Sequence, residues 1–278
     1  MSTILPLVDY HIHTPYCKHA VGDMEAYVER AIELGLEEIG FSDHMPVMPE
    51  PKFCMGYEDL KPYIRRVREL RERYAGQIAV RLGCEMDIVL DKVDEIRRII
   101  DENEFDYVIG SIHYLDDWPF DQAQYKGVFE EKDIEAIYGH FFDTIIRAAQ
   151  TGLYDITGHI DNIKRMGYRP GHDLSETYER VAQALHSMDC TVEINTSGLD
   201  TAAEEPYPSL EFLAVLRRHD IPVTLGSDAH SPDQVGRHFG QAAGYLASAG
   251  YTQIAYFSGR KRILKPFAGK SRADGGTR

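Results

Sequence analysis

Residues 5–13 read LPLVDYHIH. The run from Leu5 to His11 has the short, apolar character of a buried strand, and it leads into His11-Ile12-His13. Side chains two apart on a strand face the same way, so both imidazoles point to one side of the sheet.

Six similar runs follow. They are Glu37 to Ser42, Ile78 to Cys84, Phe105 to Ile112, Leu153 to Gly158, Cys190 to Asn195 and Ile221 to Gly226. Between them lie segments with apolar residues at helical spacing: Asp23 to Leu34, Leu60 to Tyr74, Asp91 to Glu102, Ile134 to Gln150, Ser175 to Met188, Ser209 to His219 and Gln234 to Ala249. Strands alternating with helices predict a parallel sheet with helices outside, and seven or eight such units predict a closed α/β barrel. Gln253 to Phe257 is a candidate last strand. The Pro- and Met-rich stretch Met45 to Gly56 reads as a long loop, a type often functional when it covers a site. One domain is expected over residues 1–268, with a disordered tail at 269–278.

Composition narrows the function. A net charge of −15 disfavours long nucleic acids as partners but not a small anionic substrate, because bound metal ions can dominate the field in a pocket. No run has the apolar length of a membrane span, and the N-terminus lacks the pattern of a signal peptide, so a cytoplasmic protein is expected. The four cysteines are scattered without a CxxC pair and read as free buried thiols.

The strand ends carry the chemistry. The first ends in His11 and His13, the second runs into Asp43-His44 and the third ends in Glu85. His113, His159 and the pair Glu193 and Asn195 mark the fourth, fifth and sixth, and the seventh leads into Asp228-Ala229-His230. In a barrel these carboxyl ends converge on one face. His19 lies in the loop after the first strand and could reach the same mouth. A lone histidine at a strand end is ordinarily a hydrogen-bonded structural residue. Five of the twelve histidines (His140, His172, His186, His219 and His238) lack the pattern and read as such, whereas the other seven recur in step with the strands. Imidazole and carboxylate ligands suit zinc, manganese or iron. The seven histidines with Glu85 and Asp228 make nine candidates, which exceed the needs of one ion and imply a cluster of two or three.

The segments DYHIHTPYCKH, GFSDHMP, GCEMD, FDYVIGSIHYLDDWPFD, GHIDNIK, EINTSGL and PVTLGSDAHSPDQVG together resemble the PHP (polymerase and histidinol phosphatase) superfamily, in its histidinol-phosphatase branch. The resemblance implies a distorted (β/α)7 TIM-like barrel with the metal site at the C-terminal ends of the strands. It further implies that His11, His13, Glu85 and Asp228 hold one ion, that Glu85 bridges to a second held by His113 and His159, and that His19, His44 and His230 hold a third. Asp9, Asp43 and Asp161 could orient these ligands or simply cap strand ends.

The implied activity is hydrolysis of L-histidinol phosphate in histidine biosynthesis, by a metal-bridging hydroxide and without a phosphoenzyme. Glu85, Asp228 and His230 are the expected catalytic residues. Lys164, Arg165, Asn195 and Arg237 are candidates for substrate binding. The segment Asn195 to Leu199 resembles a substrate-binding stretch of the branch, which usually continues with basic residues; here Asp200 and Thr201 follow, and Arg237 could compensate. Cys17 and Cys84 adjoin ligands but are taken as structural, and Trp118 and Phe120 as packing within their loop. The alternatives are a PHP phosphoesterase acting on nucleotides or other small esters, an amidohydrolase-like metal hydrolase, and a relic that binds metal without catalysis.

Overall fold

The computed structural model describes residues 7–267. In chain order, Val8–Asp9 (β1), Met24–Glu33 (α1), Glu38–Phe41 (β2), Tyr57–Arg73 (α2), Ala79–Asp87 (β3), Val93–Asp101 (α3), Tyr107–Ser111 (β4), Val128–Glu131 (α4), Ile134–Gln150 (α5) and Ile156–Thr157 (β5) form the first part. Ser175–Ser187 (α6), Thr191–Asn195 (β6), Leu210–Arg218 (α7), Val223–Gly226 (β7), Phe239–Ser248 (α8), Gln253–Ser258 (β8) and Lys261–Pro266 (β9) follow. Strands β1 to β7 pair in sequence order, all parallel. The sheet then meets itself. Tyr10 N donates to Leu225 O at 3.1 Å, Ala229 N to His11 O at 3.2 Å and His13 N to Ala229 O at 2.9 Å. These bonds join the chain after β1 to the chain after β7 and bring the first and last ligand pairs side by side.

The barrel is filled rather than hollow. Tyr107 projects across it and donates from its hydroxyl to Tyr10 O at 2.7 Å. A Cβ at Gly83 would lie 2.2 Å from the Tyr107 ring, so the neighbouring strand needs glycine there. Outside, α5, α6 and α7 pack through Phe142, Tyr178 and Phe212, and the Tyr178 and Phe212 rings stack at 4.3 Å. Helix starts are capped by Asp23, Asp133 and Ser209, each accepting from a first-turn amide.

Two expectations change. Gln253 to Phe257 does form a strand, but β8 pairs antiparallel with β9 in a separate hairpin. That hairpin covers the N-terminal end of the barrel: Gly259 N donates to Asp106 Oδ1 at 3.0 Å, and Arg260 Nε to Asp155 Oδ2 at 2.8 Å. The last helix begins at Phe239 rather than Gln234, because Gly236 and His238 take φ values of +64° and +61° and break the helical path. The tail expected at 269–278 lies outside the described residues. Among the described residues, no helix is long and apolar enough to cross a membrane.

Candidate metal centre and substrate cavity

The strand period places the first ligands. Ile12 bridges to Ala229 and is fully buried in the core, so His11 and His13 on either side of it turn inward. The same alternation on β3 turns Glu85 and Asp87 inward together, with Met86 in the core.

Glu85 sits at the centre and has no exposed surface. Its Oε1 lies 3.2 Å from His11 Nε2, 3.2 Å from His159 Nε2 and 3.7 Å from His113 Nε2. Its Oε2 lies 2.9 Å from His44 Nδ1 and 3.5 Å from His13 Nε2. Asp228 Oδ1 is 3.3 Å from His13 Nε2, 3.9 Å from His11 Nε2 and 3.6 Å from His230 Nδ1. His19 completes the cluster with its Nε2 at 3.0 Å from His230 Nε2. All nine residues expected as ligands therefore come together at one mouth, and Asp228 takes a φ of +55° to enter it.

The rings are held from outside. His11 Nδ1 lies 2.6 Å from Glu193 Oε1, and His113 Nδ1 lies 3.0 Å from Asp87 Oδ1. His19 and His230 direct Nδ1 to the carbonyls of Cys17 and Asp228, at 2.9 and 3.0 Å. A nitrogen facing a carbonyl must carry the proton, so in the neutral rings the two facing Nε2 atoms both present lone pairs. Glu193 fits behind His11 because residue 226 is glycine, where a Cβ would fall 1.9 Å from Glu193 Oε1.

Metal ions fit this arrangement. His11 Nε2, both nitrogens of His13, His44 Nδ1 and Glu85 Oε2 are buried without a hydrogen bond of acceptable geometry. Buried polar atoms are normally satisfied, so converging orphans of this kind mark a cation site. Several three-residue groups have ligand atoms close enough to share an ion: His11, His13 and Asp228; His11, Glu85 and His159; and His13, His44 and His230.

Electrostatics agree with a site built for cations. Burial alone would raise the Glu85 carboxyl, but His11, His44 and His113 hold it well below the usual range. Burial would depress the His11 imidazole, yet Glu193, Glu85 and Asp228 hold it well above its usual value. His19 is pushed down to about 4 by burial and by the His44 and His13 charges.

A cavity of about 400 Å³ opens above the cluster, lined by His19, His44, His113, His159, Asp228 and His230 together with Asp121, Asn162, Arg165 and Tyr207. A smaller chamber of about 170 Å³ continues from it between Met48, Phe53, Tyr114 and Gln122. The Met45 to Gly56 loop thus forms one wall of the site. Asp121 lines both chambers.

The four residues expected to contact substrate divide. Arg165 lines the cavity, and among the described residues its guanidinium makes no ion pair with a carboxylate. Lys164 does not face the cavity. The short turn Asn162–Lys164 carries it inward, where its ammonium binds Asp161 Oδ2 at 2.8 Å, Glu205 Oε1 at 3.0 Å and Pro206 O at 3.1 Å. Asn195 caps the turn after β6 and donates to Glu193 Oε2 at 3.2 Å and Asp228 Oδ2 at 3.4 Å. Arg237 reaches the carbonyls of Ser227 and Asp228, at 2.7 and 2.9 Å, rather than the cavity. Of the four, Arg165 lines the cavity, while Lys164, Asn195 and Arg237 bond to the loops around it.

The flanking aspartates divide too. Asp43 accepts from Thr14 N at 2.8 Å and lies 3.7 Å from His13 Nδ1. Asp9 holds Ser227 and Gly236, and Asp161 holds Lys164 and Ser209 N, so these two brace loops and touch no ligand side chain. Cys17 and Cys84 are buried, as are Trp118, against Phe129, and Phe120, against Phe141. Asp87, Glu193 and Asp121 escaped assignment from sequence. The two-residue spacing of Glu85 with Asp87 was a usable signal for the first; Asp121 sits in an irregular loop that offers none.

The sequence profile of the PHP domain matches residues 9–197. A "probable histidinol-phosphatase" of Deinococcus radiodurans is 33% identical, over 94% of this chain and 99% of its own length. The histidinol-phosphatase of Bacillus subtilis is 29% identical, over 82% of this chain and 95% of its own. Among solved structures, the histidinol phosphate phosphatase of Lactococcus lactis, complexed with zinc, L-histidinol and phosphate, superposes with a TM-score of 0.81 at 27% identity, covering 93% of this chain and 99% of that one. The chain belongs to the PHP family, and its seven-stranded barrel is the fold of that family.

Proposed function

We propose that this protein is a metal-dependent phosphomonoesterase that hydrolyses L-histidinol phosphate to L-histidinol and phosphate. The observation that carries the reading is the two-chambered cavity above an intact nine-residue ligand cluster, in a chain alike over most of its length to histidinol-phosphatases. His11, His13, His19, His44, Glu85, His113, His159, Asp228 and His230 hold two or three divalent ions; zinc, manganese and iron all suit this donor set. When bound, the ions neutralise phosphate oxygens and lower the pKa of the attacking water.

The rest falls to the chain's own residues. Arg165 takes phosphate oxygens in the larger chamber, where its planar fork matches their geometry. Met48, Phe53 and Tyr114 give the smaller chamber an apolar wall for the imidazole-bearing body of the substrate. Asp121 stands at the seam, without a salt-bridge partner among the described residues, where the substrate's ammonium would lie between phosphate and ring. Glu193 and Asp87 keep His11 and His113 in the tautomer that turns Nε2 inward.

The test is phosphate release by chelated enzyme refilled with manganese, zinc or iron, from L-histidinol phosphate, nucleoside monophosphates and an aryl phosphate in parallel. A metal-dependent preference for L-histidinol phosphate is expected. Equal turnover of all three esters would leave a metal phosphoesterase and remove the assigned substrate.

A further inference from the structure

We propose that Arg237 is a positioning residue for Asp228, and that Asp200 serves to hold Arg237 in that role. The inference rests on the reading of Asp228 as a metal ligand.

Asp228 is not in a relaxed conformation. Its φ of +55° is one that L side chains seldom adopt, and such residues persist only where their surroundings hold them. The preceding residue is gripped on its amide side by Asp9, whose Oδ1 accepts from Ser227 N at 2.9 Å and whose Oδ2 accepts from Ser227 Oγ at 2.5 Å. The carbonyl side belongs to Arg237. Its Nε donates to Ser227 O at 2.7 Å and its Nη2 to Asp228 O at 2.9 Å, so one planar group spans two consecutive carbonyls. This fixes the peptide between residues 227 and 228, and with it the direction in which the Asp228 carboxylate leaves the backbone. A lysine at 237 could not reproduce the fork.

The remaining nitrogen explains Asp200. Arg237 Nη1 lies 3.3 Å from Asp200 Oδ2, and Asp200 Oδ1 lies 2.8 Å from His238 Nε2. Thr196 Oγ1 donates to Arg237 O at 2.8 Å, which ties the same arginine to the turn after β6. Asp200 is thus the partner of both Arg237 and His238. It anchors the guanidinium from the solvent side while the other two nitrogens work beneath the metal site.

The experiment measures manganese affinity by competition with a chromophoric chelator, and metal retained after dialysis by elemental analysis, for wild type, Arg237→Ala, Arg237→Lys, Asp200→Asn and Asp228→Asn. Melting of each chelated protein is followed in parallel. Arg237→Ala is expected to weaken manganese binding at the Asp228 position about 10- to 100-fold, with Arg237→Lys restoring little. Asp200→Asn is expected to weaken it about two- to fivefold with no change in melting of the chelated protein. Should Arg237→Ala fail to fold, Asp200→Asn carries the test alone, because that side chain is 47% exposed. Wild-type affinity in the Arg237 and Asp200 variants, with loss in Asp228→Asn, overturns the inference and leaves the metal site standing. Affinity that falls only in step with melting overturns it as well. Unchanged affinity in Asp228→Asn removes the ligand reading, and the inference with it.

Discussion

His19 and His230, separated by 211 positions in the chain, face each other through their Nε2 atoms at 3.0 Å while each ring directs Nδ1 to a backbone carbonyl. Two imidazoles so oriented cannot hydrogen-bond to each other in their neutral form, and burial together with neighbouring charge lowers the pKa of both. A shared cation resolves the opposition.

His230→Ala should therefore lose one class of bound metal while the protein stays folded, since His230 lies at the cavity wall and not in the core. Elemental analysis after dialysis should show fewer ions per chain, and kcat should fall by about 100-fold or more with the lost ion. Full metal content with full activity would show that the pair is held by protons alone.

Metal uptake should release protons. In the metal-free protein burial works to lower His113, but Asp87 and Glu85 outweigh it and raise the ring to about 10; His11 and His13 are likewise held well above their usual value. A ligand must shed its proton before it can bind an ion, so affinity should rise with pH and weaken as pH falls. Calorimetry in buffers of different ionisation heat should give different binding heats. Identical heats would mean the rings are already neutral.

Asp121→Asn should separate the two kinds of ester. Loss of a charged partner for the ammonium should raise KM for L-histidinol phosphate by about 10- to 100-fold, the range for a hydrogen bond to a charged group. An aryl phosphate, which has no ammonium, should keep its KM. Equal effects on both substrates would assign Asp121 to the architecture of the cavity instead.

Gly226→Ala should destabilise the barrel at its site end. The added Cβ would lie 1.9 Å from Glu193 Oε1 and 2.6 Å from His11 Cβ, so the Glu193 and His11 pair must shift. Overpacking of this kind costs about 1–3 kcal/mol, to be read from the denaturation midpoint of the chelated protein. Metal affinity should drop in the same variant, because His11 loses its brace; a wild-type midpoint would show that the strand can open freely at this point.

Much of the site was legible because strand geometry converts sequence spacing directly into direction. His11 and His13 share a face by the period of two, and the carboxyl ends of parallel strands meet at one mouth. Helical spacing located the main outer helices for a similar reason, with ends displaced where glycine or capping chemistry intervened. The short helix Val128–Glu131 and the strand Lys261–Pro266 were not found, since one is a single turn and the other a largely exposed run without polar–apolar alternation, its basic residues at 261, 262 and 265.

By itself, then, the sequence determined the strand–helix alternation of the barrel and the ligand-type residues at its strand ends, through periodicities that act within a few positions of the chain, and the resemblance of its motifs completed the set of nine. The tertiary structure alone decided the fate of the cations and the bracing acids. Lys164 and Arg165 are adjacent, yet one is buried against Asp161 and Glu205 and the other opens into the cavity. Arg237 meets Asp200 and the Asp228 carbonyl, and Glu193 meets His11, across distances in sequence that no local pattern encodes. The physical reason is that a long charged side chain takes its direction from whichever partner desolvation leaves within reach, and that partner is set by how separate strands and loops pack together.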